Sequence, residues 1–184
     1  MLVGVSGKQR VGKDTAGHYL EVKYGFRRIA FADVLKRYAR KFGWNGQKDE
    51  AGRKFLQDLG MVIRTYSPGF WIAQALKQIE REKKAGYEDF VITDLRFRNE
   101  VAAIKEEAGI VVRLWSKDEI TTDLHPSETE LDDMIVVDYK IESSRGDFNK
   151  LYRQLDDMLV AERAKYQAVS TEKLAKKETQ PVNS

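Results

Sequence analysis

The sequence predicts an α/β fold of three layers, a five-stranded parallel sheet with helices on both faces. Three observations predict it. Short apolar runs alternate with stretches of helical periodicity along most of the chain, and such alternation builds parallel sheets covered on both sides. A turn bracketed by glycines and ending in lysine, Gly7 to Lys13, joins the first apolar run to the first helical stretch. The 184 residues suit one domain with a real core.

The elements follow in order. Leu2-Val3-Gly4-Val5-Ser6 reads as a strand, and residues 16–24 as a helix stopped by Gly25. Residues 26–31 form a second strand. Residues 32–42 form a helix with Leu35, Tyr38, Ala39 and Phe42 on one stripe. A glycine-containing loop at 43–50 precedes a helix over 51–66, whose expected inner face is Phe55, Leu59, Val62, Ile63 and Tyr66. Ser67-Pro68-Gly69 breaks it, and a third helix covers 70–85 with Ile72, Ala75, Leu76 and Ile79 inward. Three helices between two strands form an insertion rather than a simple crossover. Further strands are expected at 88–93, 110–115 and 134–141, with a helix ending at Ala108 and a last helix marked by Phe148, Leu151, Leu155 and Met158. The acid-rich, aperiodic stretch 116–133 reads as a lid or long loop. The domain is expected to span 1–163, with 164–184 a frayed helical extension or disordered tail.

Composition narrows the class. Cysteine is absent, so disulfides and cysteine-rich metal sites are excluded and a reduced, cytoplasmic setting is expected. No apolar run approaches the roughly 20 residues of a membrane span, and no secretory leader is read at the N-terminus. A net charge of +3 is too small to argue nucleic-acid binding, though it suits anionic small-molecule substrates.

The chemistry begins at the glycine turn. Gly7 and Gly12 bracket four residues, Arg10 and Val11 among them, and Lys13 follows. Glycines let backbone N–H groups curl inward, and the helix start adds unpaired donors and a positive dipole end. This is a phosphate-cradling pattern. Asp14 stands where Ser or Thr normally supplies a hydroxyl to the metal, and Thr15 follows it. An Mg²⁺ ion would be held mostly by phosphate oxygens and water, with Asp14, Thr15 and Asp94 as outer contacts. Right-handed crossovers place the C-terminal ends of all parallel strands along one edge. On that edge fall the glycine turn, residues 31–36, residues 94–100, the 116–133 stretch and the turn after Ile141. Arg96, just past a buried strand, is placed to grip phosphate, and Lys36 and Arg64 are further cations for a second anion. Asp94 reads as a metal-shell acid or as the cap of the helix that follows it. Glu100 reads as an acceptor for a base or sugar hydroxyl, or as a charge complementing the helix start. Trp71 fits a base stack or a core aromatic. His125 is not read as a metal ligand, because the other histidine, His18, lies in the first helix.

Taken together these residues resemble the phage-type deoxynucleoside monophosphate kinases, P-loop nucleotide kinases related to adenylate kinase. The resemblance rests on Gly7-x-x-x-x-Gly12-Lys13-Asp14-Thr15, Ala32-Asp33-Val34-Leu35-Lys36, and Phe55 to Gly60 with Arg64 and Phe70-Trp71. It rests also on Asp94-x-Arg96-x-x-x-Glu100 and His125-x-Ser127-Glu128, and it covers about residues 1–160. Asp33 and Val34 stand where Gly-Pro often precedes the lysine, and the chain is short for the family. The resemblance implies a P-loop NTPase fold, ATP and Mg²⁺, and conversion of a deoxynucleoside monophosphate to its diphosphate. ATP would meet Gly7, Arg10, Val11, Gly12, Lys13, Asp14 and Thr15. The acceptor would meet Lys36, Lys54, Gln57, Arg64, Trp71, Asp94, Arg96 and Glu100, with residues 32–86 as its helical region. Lys13, Asp94 and Arg96 would be catalytic, and His125 and Glu128 would belong to the lid. A homodimer is left open, and a phage-encoded enzyme would work in the host cytoplasm. Two alternatives stand beside it: a related kinase of the dephospho-coenzyme A or phosphomevalonate type, and a nucleotide-sensing module without catalysis. A sensor needs no second anion site, so Lys36 and Arg96 argue against the module.

Overall fold

The computed structural model describes residues 1–117, 125–133, 137–144 and 146–178, with side chains to residue 168. Its elements are β1 (Leu2–Ser6), α1 (Lys13–Tyr24), β2 (Arg27–Ile29), α2 (Phe31–Lys41), α3 (Glu50–Tyr66) and α4 (Phe70–Lys84). They continue as β3 (Phe90–Leu95), α5 (Arg98–Glu106), β4 (Ile110–Trp115), α6 (Pro126–Thr129), β5 (Tyr139–Glu142) and α7 (Phe148–Glu178). The five strands lie in the order β2-β3-β1-β4-β5, and every pairing is parallel. This is the doubly covered sheet that the alternation predicts.

The strands sort their side chains by parity. Val3 and Val5 of β1, Val91 of β3, and Val112 and Leu114 of β4 face α1 and α7, where they meet Leu20, Leu151, Leu155 and Met158. Phe90 and Ile92 of β3 and Val111 of β4 face the other way, onto Trp71, Ala75, Ile79, Val101 and Ile104, and Leu95 joins them past the register shift between β1 and β3. Helix α1 approaches the sheet closely because residue 17 is glycine: a Cβ there would lie 2.3 Å from Thr93 Cγ2. The close approach fixes the start of α1, and hence the glycine turn, against β3.

Several expectations shift. Helix α3 buries only Gly52, and Val62 and Tyr66 of its expected inner face are 67% and 94% exposed. The helix is part of the insertion rather than of the sheet layers, so its inner side faces a cleft and needs no continuous apolar stripe. The last strand is shorter than expected. Residues 134–136 lie outside the described residues, and β5 begins only at Tyr139. Helix α7 runs on to Glu178, the helical extension that is one of the two readings of that stretch, and residues 179–184 lie outside the described residues. Within the expected lid, residues 118–124 lie outside the described residues, and the remainder holds α6, a single turn. Among the described residues no helix is long and apolar enough to cross a membrane.

Candidate active site

The glycine turn lies at the C-terminal end of β1, the central strand. Gly7 has φ 140°, Arg10 φ 66° and Gly12 φ 93°. These left-handed residues curl the chain on itself, and at position 7 a Cβ would strike the Leu114 carbonyl at 2.5 Å. No side chain caps the start of α1, so its orphan donors point into the turn. An uncapped helix start inside a curled backbone fits phosphate. The Lys13 ammonium lies across the turn, donating to the carbonyls of Gly7 (2.7 Å) and Lys8 (2.6 Å). Burial, and next the charge of Arg96, lower its pKa to about 8. A phosphate chain brought to this spot would supply the negative charge that the ammonium lacks.

Beside the turn opens a cavity of about 410 Å³. Gln9 of the turn forms one edge. Phe31, Leu35, Leu56, Met61, Trp71 and Phe97 line its apolar part, and Lys36, Arg64 and Arg96 face it as cations. Gln57, His125, Ser127 and Glu128 complete the polar wall. The structure brings Lys36, Gln57, Arg64, Trp71, Arg96, His125 and Glu128 together around this one cavity.

For Glu100 and Trp71 the structure takes the second reading the sequence left open, a carboxylate at a helix start and a core aromatic. Glu100 is 1% exposed and turns inward. Its Oε2 accepts from the backbone N–H of Arg96 (2.8 Å) and Phe97 (3.1 Å), and its Oε1 accepts from Arg64 Nη2 (2.6 Å). Burial pushes its carboxyl up to about 7, while Arg64 and the backbone donors act in the opposite direction. Glu100 therefore holds Arg64 from beneath instead of reaching the cavity. Arg64 also donates to Asn99 (3.3 Å) and lies 3.6 Å over the Phe97 ring. Trp71 is 2% exposed; its indole N–H donates to the Gly60 carbonyl at 3.2 Å, and it packs edge-on with Phe70 and Tyr38. It is the cavity floor, a core aromatic joining α3 to α4.

Asp94 is also redirected. Its carboxylate accepts from the backbone N–H of Phe31 (3.0 Å) and Ala32 (2.8 Å), so it caps the start of α2 and not the helix after it. Parallel pairing of β2 with β3 brings the two strand ends together, which is why the cap reaches across the sheet. Burial raises the Asp94 pKa, and those two donors oppose the rise. Asp14 points outward, its side chain 87% exposed and 3.5 Å from Arg28. Among the described residues no group of three His, Cys, Asp or Glu could enclose a cation. Lys54 does not join the site: its side chain is 75% exposed and pairs with Asp58. Lys36 donates to Asp33 at 2.9 Å and keeps its place at the cavity wall.

Sequence reasoning missed Lys8, Lys48, Arg53 and Phe97. Lys48 and Arg53 line the cavity, and Arg53 Nε is tied to the Lys48 carbonyl at 2.8 Å. Only their position at the start of α3, beside the Asp49 cap, could have singled them out. Lys8 sits between the glycines, yet it reaches away from the turn to the Glu128 carbonyl (2.6 Å) and to Asp132 (2.5 Å).

No family model matches the chain. Among curated proteins it is 29% identical over 158 residues to a candidate deoxynucleotide monophosphate kinase of Acanthamoeba polyphaga mimivirus, covering 71% of this chain and 82% of the relative. It is 31% identical over 134 residues to the uncharacterized protein ORF77 of Ictalurid herpesvirus 1 (strain Auburn), covering 70% of this chain and 58% of that protein. Among solved structures, shikimate kinase from Aquifex aeolicus superposes with a TM-score of 0.50 at 14% identity, over 89% of this chain and 99% of that one. The tunicamycin resistance protein of Deinococcus radiodurans gives 0.51 at 14% identity, over 86% and 94%. The glycine turn and these superpositions agree on the fold, a three-layer α/β P-loop architecture, and the viral kinase is similar to this chain over most of the length of both.

Proposed function

We propose that this protein transfers the terminal phosphoryl group of ATP to the phosphate of a deoxynucleoside monophosphate, giving the diphosphate and ADP. The observation that carries the reading is the cavity, where a second set of cations, Lys36, Arg64 and Arg96, stands beside the phosphate loop over apolar and aromatic walls. A nucleoside monophosphate has the matching character, a dianion at one end and a flat base at the other. The similarity to the viral deoxynucleotide kinase supports the same acceptor.

Transfer of this kind forms a bond from an acceptor phosphate oxygen to the γ-phosphorus and breaks the bond from that phosphorus to the β-bridging oxygen. It needs alignment and positive charge more than covalent help. Lys13 and the turn backbone would hold the donor phosphates, and Arg96 would face the acceptor phosphate. Asp94 would act through α2, setting where Lys36 stands, and Arg64 on its Phe97 platform would flank the acceptor. An Mg²⁺ ion taken up with the donor phosphates beside Thr15 would supply positive charge that offsets theirs.

A coupled ADP-release assay with ATP and Mg²⁺ tests the reading. The acceptor panel holds each deoxynucleoside monophosphate, dephospho-coenzyme A and phosphomevalonate. Turnover of at least one deoxynucleotide is expected. Turnover confined to another acceptor would overturn the substrate assignment.

A further inference from the structure

One carboxylate in the cleft has no part in the chemistry above. Glu128 has a side chain only 8% exposed, and its Oε2 is buried without a hydrogen-bond partner among the described residues. Its Oε1 lies 2.5 Å from Arg96 Nη1, which also donates to the Ser127 carbonyl at 3.3 Å. Among the described residues, the protein bonds of the Arg96 guanidinium are thus all made at Nη1. A guanidinium carries its N–H donors in a rigid fork. Holding Nη1 leaves the Nε–Nη2 edge, which can grip an anion through two parallel bonds, and the residue lines the cavity.

Glu128 is itself fastened. Lys8 Nζ donates to its carbonyl at 2.6 Å and pairs with Asp132 at 2.5 Å. Arg113 from β4 reaches Asp132 at 3.4 Å and the Leu131 carbonyl at 2.5 Å. The Lys8 carbonyl in turn accepts from Lys13 Nζ at 2.6 Å. A continuous run of bonds therefore joins the phosphate-loop lysine to Arg96 through Lys8 and Glu128.

We propose that Glu128 is a positioning residue: it grips Nη1 of Arg96 so that the Nε–Nη2 edge faces the anionic group of the acceptor, and Lys8 ties that aim to the phosphate loop. The inference rests on reading the cavity as the acceptor site. A latch that the acceptor displaces is disfavoured by the same geometry. Residues 128–132 are held by Lys8 and Arg113, and a Glu128 pushed off Arg96 would be a buried charge without a partner.

Steady-state kinetics on the full chain test it, using whichever acceptor the wild type turns over. Glu128→Ala should lower acceptor kcat/KM on the order of 10–100-fold, with the KM for ATP within about twofold. Glu128→Gln, which keeps an oxygen opposite Nη1, should recover most of the loss. The double variant Glu128→Ala/Arg96→Ala should be no worse than Arg96→Ala alone. An unchanged or lowered acceptor KM in Glu128→Ala, an equal rise in the KM for ATP, or additive losses in the double variant would overturn the proposal. A second measurement needs no substrate. In guanidinium ¹⁵N spectra, Arg96 (identified by loss of its signals in Arg96→Lys) should show slowed Nη rotation in the wild type and free rotation in Glu128→Ala. Free rotation in the wild type sinks the proposal. If only a non-nucleotide acceptor is turned over, the deoxynucleotide reading alone fails and the kinetics are run with that acceptor. If nothing is turned over, the kinase reading fails and the spectra decide.

Discussion

On the proposed kinase reading the cleft has a donor half and an acceptor half, and the two are built differently. The donor half is one continuous stretch, β1, the glycine turn and the start of α1, and its lysine bonds to carbonyls five and six residues away. The acceptor half is collected from four places: Lys36 on α2, Arg64 on α3, Arg96 after β3 and Glu128 on α6. Its key bonds span 31 to 36 residues, as in Arg96 to Ser127 and Arg64 to Glu100. The donor half keeps its own backbone donors open for a ligand. The acceptor half satisfies its charges internally, Glu100 against Arg64 and Glu128 against Arg96, and offers only the remaining edges. A local site can be rigid by backbone geometry alone; an assembled site needs buried partners to fix each cation.

The largest expected effect tests the donor half. Lys13→Ala should reduce kcat on the order of 10²–10⁴-fold with an unchanged circular dichroism spectrum. Near-normal turnover would remove this lysine from the chemistry. The acceptor half should answer first in stability. Arg64→Ala leaves a buried carboxylate unpaired and should cost about 3–5 kcal/mol in urea unfolding, part of it restored by adding Glu100→Gln. Lys36→Ala, whose partner Asp33 is half-exposed, should cost less than about 1 kcal/mol. Equal losses for the two would erase the distinction drawn between assembled and peripheral cations.

The halves should also respond to pH in opposite directions. Burial lowers the Lys13 pKa in the folded chain to about 8, from the ordinary lysine value of 10.5. The unfolded chain therefore binds more protons between those values, and stability rises with pH across that window. Lys13→Met removes a cost on the order of 1–3 kcal/mol present below about pH 8. It should raise Tm at pH 7, with the gain fading as pH climbs to 10.5. Glu100 is raised from 4.5 to about 7, so the folded chain binds more protons in that interval. Its favourable contribution is complete below pH 4.5 and is lost as pH rises through 7. Melting curves of Lys13→Met and Glu100→Gln against pH check both signs, and parallel trends in the two variants would refute the contrast. The smallest effect is expected at Lys54, an exposed cation outside the cavity. Lys54→Ala should leave the acceptor KM within about twofold, and a larger rise would extend the acceptor half along α3.

Most of the fold was legible because it is written in local patterns. The glycines with left-handed φ, the helix-ending Gly25 and the strand-helix alternation all act over a few residues. The α3 stripe misled because periodicity reports amphipathicity and not what the helix faces. Val62 and Tyr66 are exposed since the insertion leaves that side of α3 without a neighbouring layer. Asp94 and Glu100 stood out in the sequence, but the contacts they make did not. A carboxylate at a strand end or in a first helical turn looks the same in sequence whether it points to a ligand, to α2 or to Arg64.

The sequence by itself determined the phosphate loop, the parallel sheet and the strand edge on which the site lies, because contiguous residues and fixed crossover handedness settle them. Only the tertiary structure decided which charges are spent and which are offered. It paired Glu100 with Arg64, drew Asp94 onto α2, sank Trp71 into the core, and set Lys8 and Glu128 behind Arg96. Those outcomes depend on which side chains meet across the sheet and the insertion, and burial makes each unpaired charge costly enough to choose its partner.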